Sequence, residues 1–582
     1  MNKTSSSNYL LRKSPLIRTL CWVIFVVIFI TVSLIFRIKS KNPPEITGMN
    51  PNKGSPGDLV IITGKNFGHI KDTSYVEFGG SRLTSSSYTS WKDDEIKVIL
   101  PANFQEGLVV VGVKNLRSKP EFFANVNAVP LQVAENAKLT VPIITGVTPE
   151  KLYPGELITI YGSNFGAFRN DSLVYFSADR EAVKKEEGDL SDNFEYVAAD
   201  ANNYDYESWS ESEIHVRVPD GASGSKMYIQ TAKGKSANRT VKIERKAGTK
   251  SLISPKTYVI QLSSDVENYS GDKDSSIILR VPRPAVSAYQ PSSQLVEANP
   301  EPIISDFQHT IIHQMQNIQN QGGRNSTVYA GKKRFLQNFA ITVYETRSKV
   351  VAANLESSKS ISQTLYSTCT ASDQIVPAGN EEIKKLLNKI LSEEAKKRKD
   401  GKRETNPYNI SLLCYNYMIT TYRILPGMRS ENSSPLDMLD SKKGDAYDFT
   451  MIYAALLRSA GIPCLPISGV LVNPDLRTKT HWWTEIYFSG FGWFPVDVAL
   501  GAGLPYQSWL KDIVPSIFYF GNLDSQHIMI SRGWNEIKPS ASENRTVSRP
   551  RSYALQSIWE EASGKTIKYS SYWADPVVVG VY

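Results

Sequence analysis

His481 and Asp497 are side chains of the kinds that hold and orient a proton, and a hairpin signal, Gly490-Phe491-Gly492, lies between them. A loop of Ser489–Phe491 would set Trp483 opposite Asp497 and His481 diagonally across from it. Diagonal neighbours on one face stand about 7–8 Å apart at Cα, a gap that an imidazole and a carboxylate can bridge. A four-residue loop would send the two to opposite faces unless a bulge restored the register. An odd loop or a bulge is therefore expected. His309 and His313 are four apart, a spacing that on a helix would share one face. No HExxH pattern and no clustered third ligand accompanies them, so a chance pair in a Gln-rich segment is expected rather than a metal site. No glycine-rich phosphate loop is present, and no cofactor is expected. The basic run Lys396–Arg403 reads as a solvated linker.

The elements that must position this pair follow from periodicity. Asp445 is placed to cap a helix, with Asp448 favouring the same N-terminus. Ala446, Phe449, Ile452, Tyr453, Leu456, Leu457 and Ala460 form its apolar face, and Gly461-Ile462-Pro463 ends it. Strands are expected at Cys464–Leu471, His481–Phe488 and Trp493–Val498. A helix over 381–397 carries Ile383, Leu386, Leu387, Ile390 and Leu391 on one face. Another starts at the cap Asn406 with Pro407 in its first turn, and its stripe makes Cys414 a buried thiol. Residues 250–375 read as β-rich.

An internal repeat precedes them. PPEITGMNPNKGSPGDLVIITGKNFG from Pro43 returns as PIITGVTPEKLYPGELITIYGSNFG from Pro142, at an offset of 98 residues. Trp91 and Trp209 lie 118 apart, so the second copy carries extra residues, which fall in the loop Ala178–Glu207. Short alternating runs between Gly, Pro and Asn describe antiparallel sandwiches. The later glycine of each copy lets a strand bend or another backbone come close. The pattern resembles the IPT/TIG family of immunoglobulin-like domains, over about 43–134 and 140–245. The resemblance implies spacers or stalks, with the long loop as the place for a specific contact.

The stretch Lys442–Leu500 resembles the transglutaminase-like superfamily, a papain-like cysteine fold. Gly444, Asp448, Gly461-Ile462-Pro463, His481, Trp483, Gly492-Trp493 and Asp497 match its motifs in order, and Phe520–Ser531 looks like the tail of bacterial members. In that family a thiolate at the helix start, lowered in pKa by the helix dipole, attacks an acyl group with a His and an Asp behind it. The resemblance puts the nucleophile at position 446, and the residue there is alanine. No Ser or Thr stands at 445–448, and Cys464 lies beyond the far end of the helix. The resemblance thus implies an inactive fold in which Ala446, His481 and Asp497 are a remnant triad. Trp482, Trp483 and Trp493 are its substrate-cleft candidates.

The chain of 582 residues has 66 basic and 58 acidic side chains, a net +8. Residues 1–42 hold seven Lys and Arg and no acid, so the rest is close to neutral and no nucleic-acid surface is expected. Thr19–Phe36 is uncharged and, as a helix, about 27 Å long, close to a bilayer core. An uncleaved anchor with the N-terminus inside and the bulk extracytoplasmic is expected, because no small-residue cleavage site follows. Cys369, Cys414 and Cys464 allow at most one internal disulfide.

The expected architecture is multidomain. A tail and transmembrane helix (1–42) lead to two all-β Ig-like sandwiches. A β-rich region (250–375), an α+β papain-like core (380–540) and a C-terminal extension (541–582) follow. The expected function is a membrane-anchored envelope protein whose inactive transglutaminase-like domain binds a peptide, protein or glycan, or acts as a scaffold. The alternative is an active amidase, peptidase or acyltransferase with a non-standard nucleophile.

Overall fold

The computed structural model describes residues 43–582 except 56, 72–73, 80, 84–86, 102–106, 115, 126–140, 170–171, 179–195, 201–204, 272–274, 316–331, 356–360 and 565–566. The expected anchor and most of the loop 178–207 lie outside the described residues. Among the described residues, no helix is long and apolar enough to cross a membrane. The chain divides into two compact units, one built from residues up to Leu131 and one from nearly all the rest.

In the first unit, Glu45–Asn50, Leu59–Lys65, Glu95–Ile99 and Tyr88–Trp91 form one sheet in that spatial order. A second sheet centres on Gly107–Val113, between Tyr75–Phe78 and Glu121–Asn125. Val60, Ile62, Phe67, Val76, Phe78, Ile96, Val109 and Phe123 fill the space between them. The second unit begins with the same plan: Ile143–Thr148, Leu157–Ser163, Glu213–Arg217 and Tyr206–Trp209. The repeated glycine is explained by close approach. A Cβ on Gly64 would lie 2.0 Å from the Glu45 carbonyl oxygen, and one on Gly162 2.0 Å from that of Ile143. The repeated tryptophans are equivalent too, Trp91 donating to the Phe67 carbonyl (3.0 Å) and Trp209 to that of Phe165 (3.1 Å).

The β-rich region is completed from the far end of the chain. Gly248–Ser270 pairs with Lys333–Val350 on one side and with Lys568–Trp573 and Val577–Val581 on the other. Ser276–Pro282 runs between Thr310–Met315 and Glu560–Ser563. Residues 541–582 are therefore not an appendage, since Trp559 and Trp573 join the apolar core under these sheets. His309 and His313 lie at a turn and in the strand Thr310–Met315, not on a helix. Thr310, Ile311 and Ile312 are β-branched, and this local preference overrides the four-residue spacing. Buried His313 meets Gln337 at 2.6 Å.

The core that carries the candidate pair is a helix, Ala446–Ser459, against a sheet in the order Gly492–Val496, Thr478–Phe488, Cys464–Val472, His527–Arg532. The helices Glu381–Lys397 and Pro407–Thr421 cover its other side. Asn406 caps the second of these with Pro407 in its first turn, as its sequence requires. The central helix is buried all round from Ala446 to Arg458, not on one face only. Arg458 tolerates this because its guanidinium donates to the Cys464 and Ala371 carbonyls and to Asp373. Cys369, Cys414 and Cys464 are free, buried thiols, so no disulfide joins any two of them.

Candidate functional site

The hairpin places the pair. Phe488 faces Gly492 and Thr484 faces Val496, which leaves the three-residue loop Ser489–Phe491. Gly490 and Gly492 take φ of 79° and 93°, the left-handed region that glycine enters without strain. The strand ends at Val496, two residues before the sequence pattern suggested. Asp497 leaves the ladder because its carboxylate caps the short helix Val498–Gly501, accepting from the Leu500 amide at 2.8 Å. Its other oxygen, Oδ2, meets His481 Nε2 at 2.6 Å.

A second histidine shares that oxygen. His527 Nε2 lies 3.2 Å from Asp497 Oδ2, and His527 Nδ1 lies 2.7 Å from Asp524 Oδ1. Asp524 also accepts from Ser508 (2.8 Å) and Tyr519 (3.1 Å). His481, Asp497 and His527 are all completely buried. Burial alone would lower the His527 pKa, but Asp524 and Asp497 override it and raise it to about 9. With a carboxylate at each nitrogen, His527 is placed to donate twice, an arrangement that favours the imidazolium. Burial would raise both carboxyls; instead the facing imidazoles hold Asp497, and His527 holds Asp524, below the usual carboxylate range.

Trp483 lies parallel to His481, centroids 6.2 Å apart, and edge-on to His527 at 5.3 Å. Its indole donates to Tyr289 Oη at 3.3 Å. Trp482 projects from the opposite face of the strand, where it meets Tyr447 edge-on at 5.4 Å. Trp493 lies under the Arg532 guanidinium, 4.2 Å from its ring centroid. All three tryptophans are buried.

Ala446 opens the central helix, and acids surround that opening. Asp445 and Asp448 form a reciprocal capping box, each carboxylate accepting from the other's amide at 3.0 Å. Arg551 closes over both: Nη1 donates to Asp445 at 3.0 and 2.8 Å, and Nη2 to Asp448 at 2.6 Å. Burial, then the Asp445 charge, raises the Asp448 pKa to about 6 against the pull of Arg551. His481 Nδ1, the ring nitrogen not facing Asp497, is buried without a hydrogen-bond partner.

The three described thiols are held protonated rather than activated. Burial pushes Cys369 up to about 11 and Cys414 and Cys464 up to about 12. They are the reverse of the activated thiolate a cysteine enzyme needs. As possible metal ligands, His481, Asp497 and His527 hold donor atoms within 4.8 Å of one another. Two ligands on one tetrahedral zinc at about 2.0–2.1 Å stand about 3.3 Å apart. The 2.6 Å between His481 and Asp497 is instead a charge-assisted hydrogen bond.

Asp524, His527 and Arg551 were not singled out by sequence reasoning. The first two lie three apart inside the Phe520–Ser531 stretch, a signal that was present. Arg551 sits 106 residues from Asp445, and no local pattern announces that contact.

Residues 396–498 match the model of the transglutaminase-like superfamily, and residues 44–125 and 142–251 match that of the IPT/TIG domain. The chain carries two IPT/TIG domains and a transglutaminase-like domain. Among curated proteins, it is similar to cyclomaltodextrin glucanotransferase of Bacillus licheniformis, 44% identical over 62 residues, 11% of this chain and 8% of that one. The same enzyme of Niallia circulans is 40% identical over 63 residues, 11% of this chain and 8% of that one. The chain thus spans under a tenth of the length of these curated relatives. Among solved structures, the periplasmic domain of TgpA from Pseudomonas aeruginosa is 10% identical with a TM-score of 0.23, covering 44% of this chain and 88% of that one. A surface glycan-binding protein from Prevotella bryantii is 9% identical with a TM-score of 0.20, covering 52% and 99%.

Proposed function

We propose that this chain is a non-catalytic binding or scaffolding protein of the cell envelope, anchored by residues 19–36, whose transglutaminase-like domain has lost its chemistry. One observation carries the reading: the His481–Asp497 pair is formed, at 2.6 Å, while position 446, where the resemblance puts the nucleophile, holds a methyl group. Protonation of the three buried thiols supports it, as does the complete burial of the pair. Among ligand classes, the short stretch resembling a cyclomaltodextrin glucanotransferase favours carbohydrate over peptide. The test is an acyl-transfer and peptidase assay on the purified chain. No turnover is expected. Robust turnover abolished by His481→Ala would overturn the reading.

A second reading, an active amidase, peptidase or acyltransferase with a non-standard nucleophile, is favoured by Nδ1 of His481, which is buried without a hydrogen-bond partner. The same assay decides between the two.

A further inference from the structure

The buried pair offers no entry, but a cavity of about 650 Å³ opens elsewhere in the larger unit. Its walls come from three regions: Asp200 of the second IPT/TIG domain, the segment 282–286 and Asp306 of the β-rich region, and Leu465 with 530–536 of the core. The volume lies in the range of small-molecule sites, about 300–1,000 Å³.

The lining limits what could bind. It holds three arginines, and each already faces a carboxylate: Arg283 and Asp306 at 3.6 Å, Arg458 and Asp373 at 2.5 Å, Arg532 and Glu485 at 2.5 Å. No uncompensated charge cluster awaits an anionic ligand. The Arg283–Asp306 pair, whose two members both line the cavity and are partly exposed, presents a donor and an acceptor side by side, which suits hydroxyl groups. Ser293, also in the lining, has a buried hydroxyl without a hydrogen-bond partner. Trp534 supplies an aromatic surface, half-buried against the core. The floor is apolar, with Leu465 and Ile530. An extended peptide would look for a strand edge, yet Pro282 and Pro284 remove two amide donors from this wall.

We propose that this cavity binds a neutral oligosaccharide, with one sugar ring against Trp534 and hydroxyls on the Arg283–Asp306 pair and Glu536. A pyranose ring combines an apolar face with a polar rim, and so does this lining. The proposal rests on the binding-protein reading above and moves the ligand away from the old catalytic position.

Isothermal titration of the full-length chain with maltohexaose, cellohexaose, chitohexaose and a xyloglucan heptasaccharide tests it, with a neutral hexapeptide alongside. At least one sugar is expected to bind with micromolar to millimolar Kd, and the peptide not at all. Trp534→Ala should weaken binding at least tenfold and Asp306→Ala severalfold, with Ile517→Ala, at an exposed site outside the cavity, as an unchanged control. Thermal melting of each variant checks folding; Glu536→Ala, at an exposed position, replaces any that fails to fold. The proposal is overturned if no sugar binds, if the folded cavity variants bind like the parent, or if the peptide alone binds. Enzymatic turnover would end the non-catalytic reading while leaving a positive titration intact, so the two failures are distinguishable.

Discussion

Arg551 grips Asp445 through two hydrogen bonds, of 3.0 and 2.8 Å, across 106 residues of chain. The contact ties the last segment of the protein to the start of the central helix. Both side chains are almost wholly buried, so neither charge has water to fall back on. Deleting one partner of a buried ion pair costs about 3–5 kcal/mol because the other charge is stranded. Arg551→Ala is expected to lose about that much in urea unfolding followed by circular dichroism. A loss within the range of an exposed ion pair, under about 1 kcal/mol, would show that the clamp is not formed.

Asp497 is the shared acceptor of two histidines, and its removal leaves His527 positive with one partner fewer. Asp497→Ala is therefore expected to destabilise the core by about 3–5 kcal/mol, measured by the same urea titration. Asp497→Asn keeps the shape but not the charge and should fall between the variant and the parent.

His527 makes stability depend on pH in a stated direction. Its folded pKa, raised to about 9, lies above the ordinary histidine value of 6.5. Its contribution is complete below about 6.5, shrinks as pH rises, and is gone above about 9. Asp497 and Asp524 are held low, so their contributions are present above the usual carboxylate range and lost as pH falls. Unfolding free energy measured from pH 6 to 9.5 should fall in the parent more steeply than in His527→Gln. Parallel profiles for the two would refute the doubly donating imidazolium.

The thiols give an independent readout of position 446. In a Cys21→Ser background, Cys369, Cys414 and Cys464, held protonated up to about 11 to 12, should show no thiolate absorbance at 240 nm below pH 9. Ala446→Cys is expected to add one thiol titrating below the roughly 8.5 of a free cysteine, since it stands at a helix N-terminus in a fold with a spare imidazole nitrogen. The added transition should move upward again in Ala446→Cys/His481→Ala. Gain of acyl-transfer activity in the single variant would show that substrate still reaches this point.

Much of this site was legible because its determinants are local. The loop Ser489–Phe491 fixes the ladder, and the ladder brings His481 toward Asp497. The capping box needs only Asp445 and Asp448, three residues apart, and Asn406 with Pro407 starts a helix on the same terms. Contacts set by tertiary packing escaped. Nothing near Asp524 says that its neighbour His527 will share Asp497, and nothing near Arg551 points to residue 445. The apolar face assigned to the central helix was too narrow because periodicity marks one stripe, while the helix is packed on two sides: Tyr453, inside the stripe, donates to the Ser411 carbonyl of the helix layer, and Tyr447, outside it, meets Trp482 of the sheet. Asp497 appeared to continue a strand because its own capping role depends on the turn that follows it.

The strand Gly248–Ser270 begins where the second IPT/TIG match ends and runs on for 23 residues through the sheet beside the core. At about 3.3 Å per residue that is about 75 Å of backbone. Lys250, near its start, is held by Asp220 of the IPT/TIG domain at 2.7 Å and by the Trp493 carbonyl. Through Lys250 the second repeat and the core are pinned at one point, like a handle riveted to its blade, and the strand kinks just beyond it, where Ser254 takes a φ of 49° and the pairing shifts between Ile253 and Lys256.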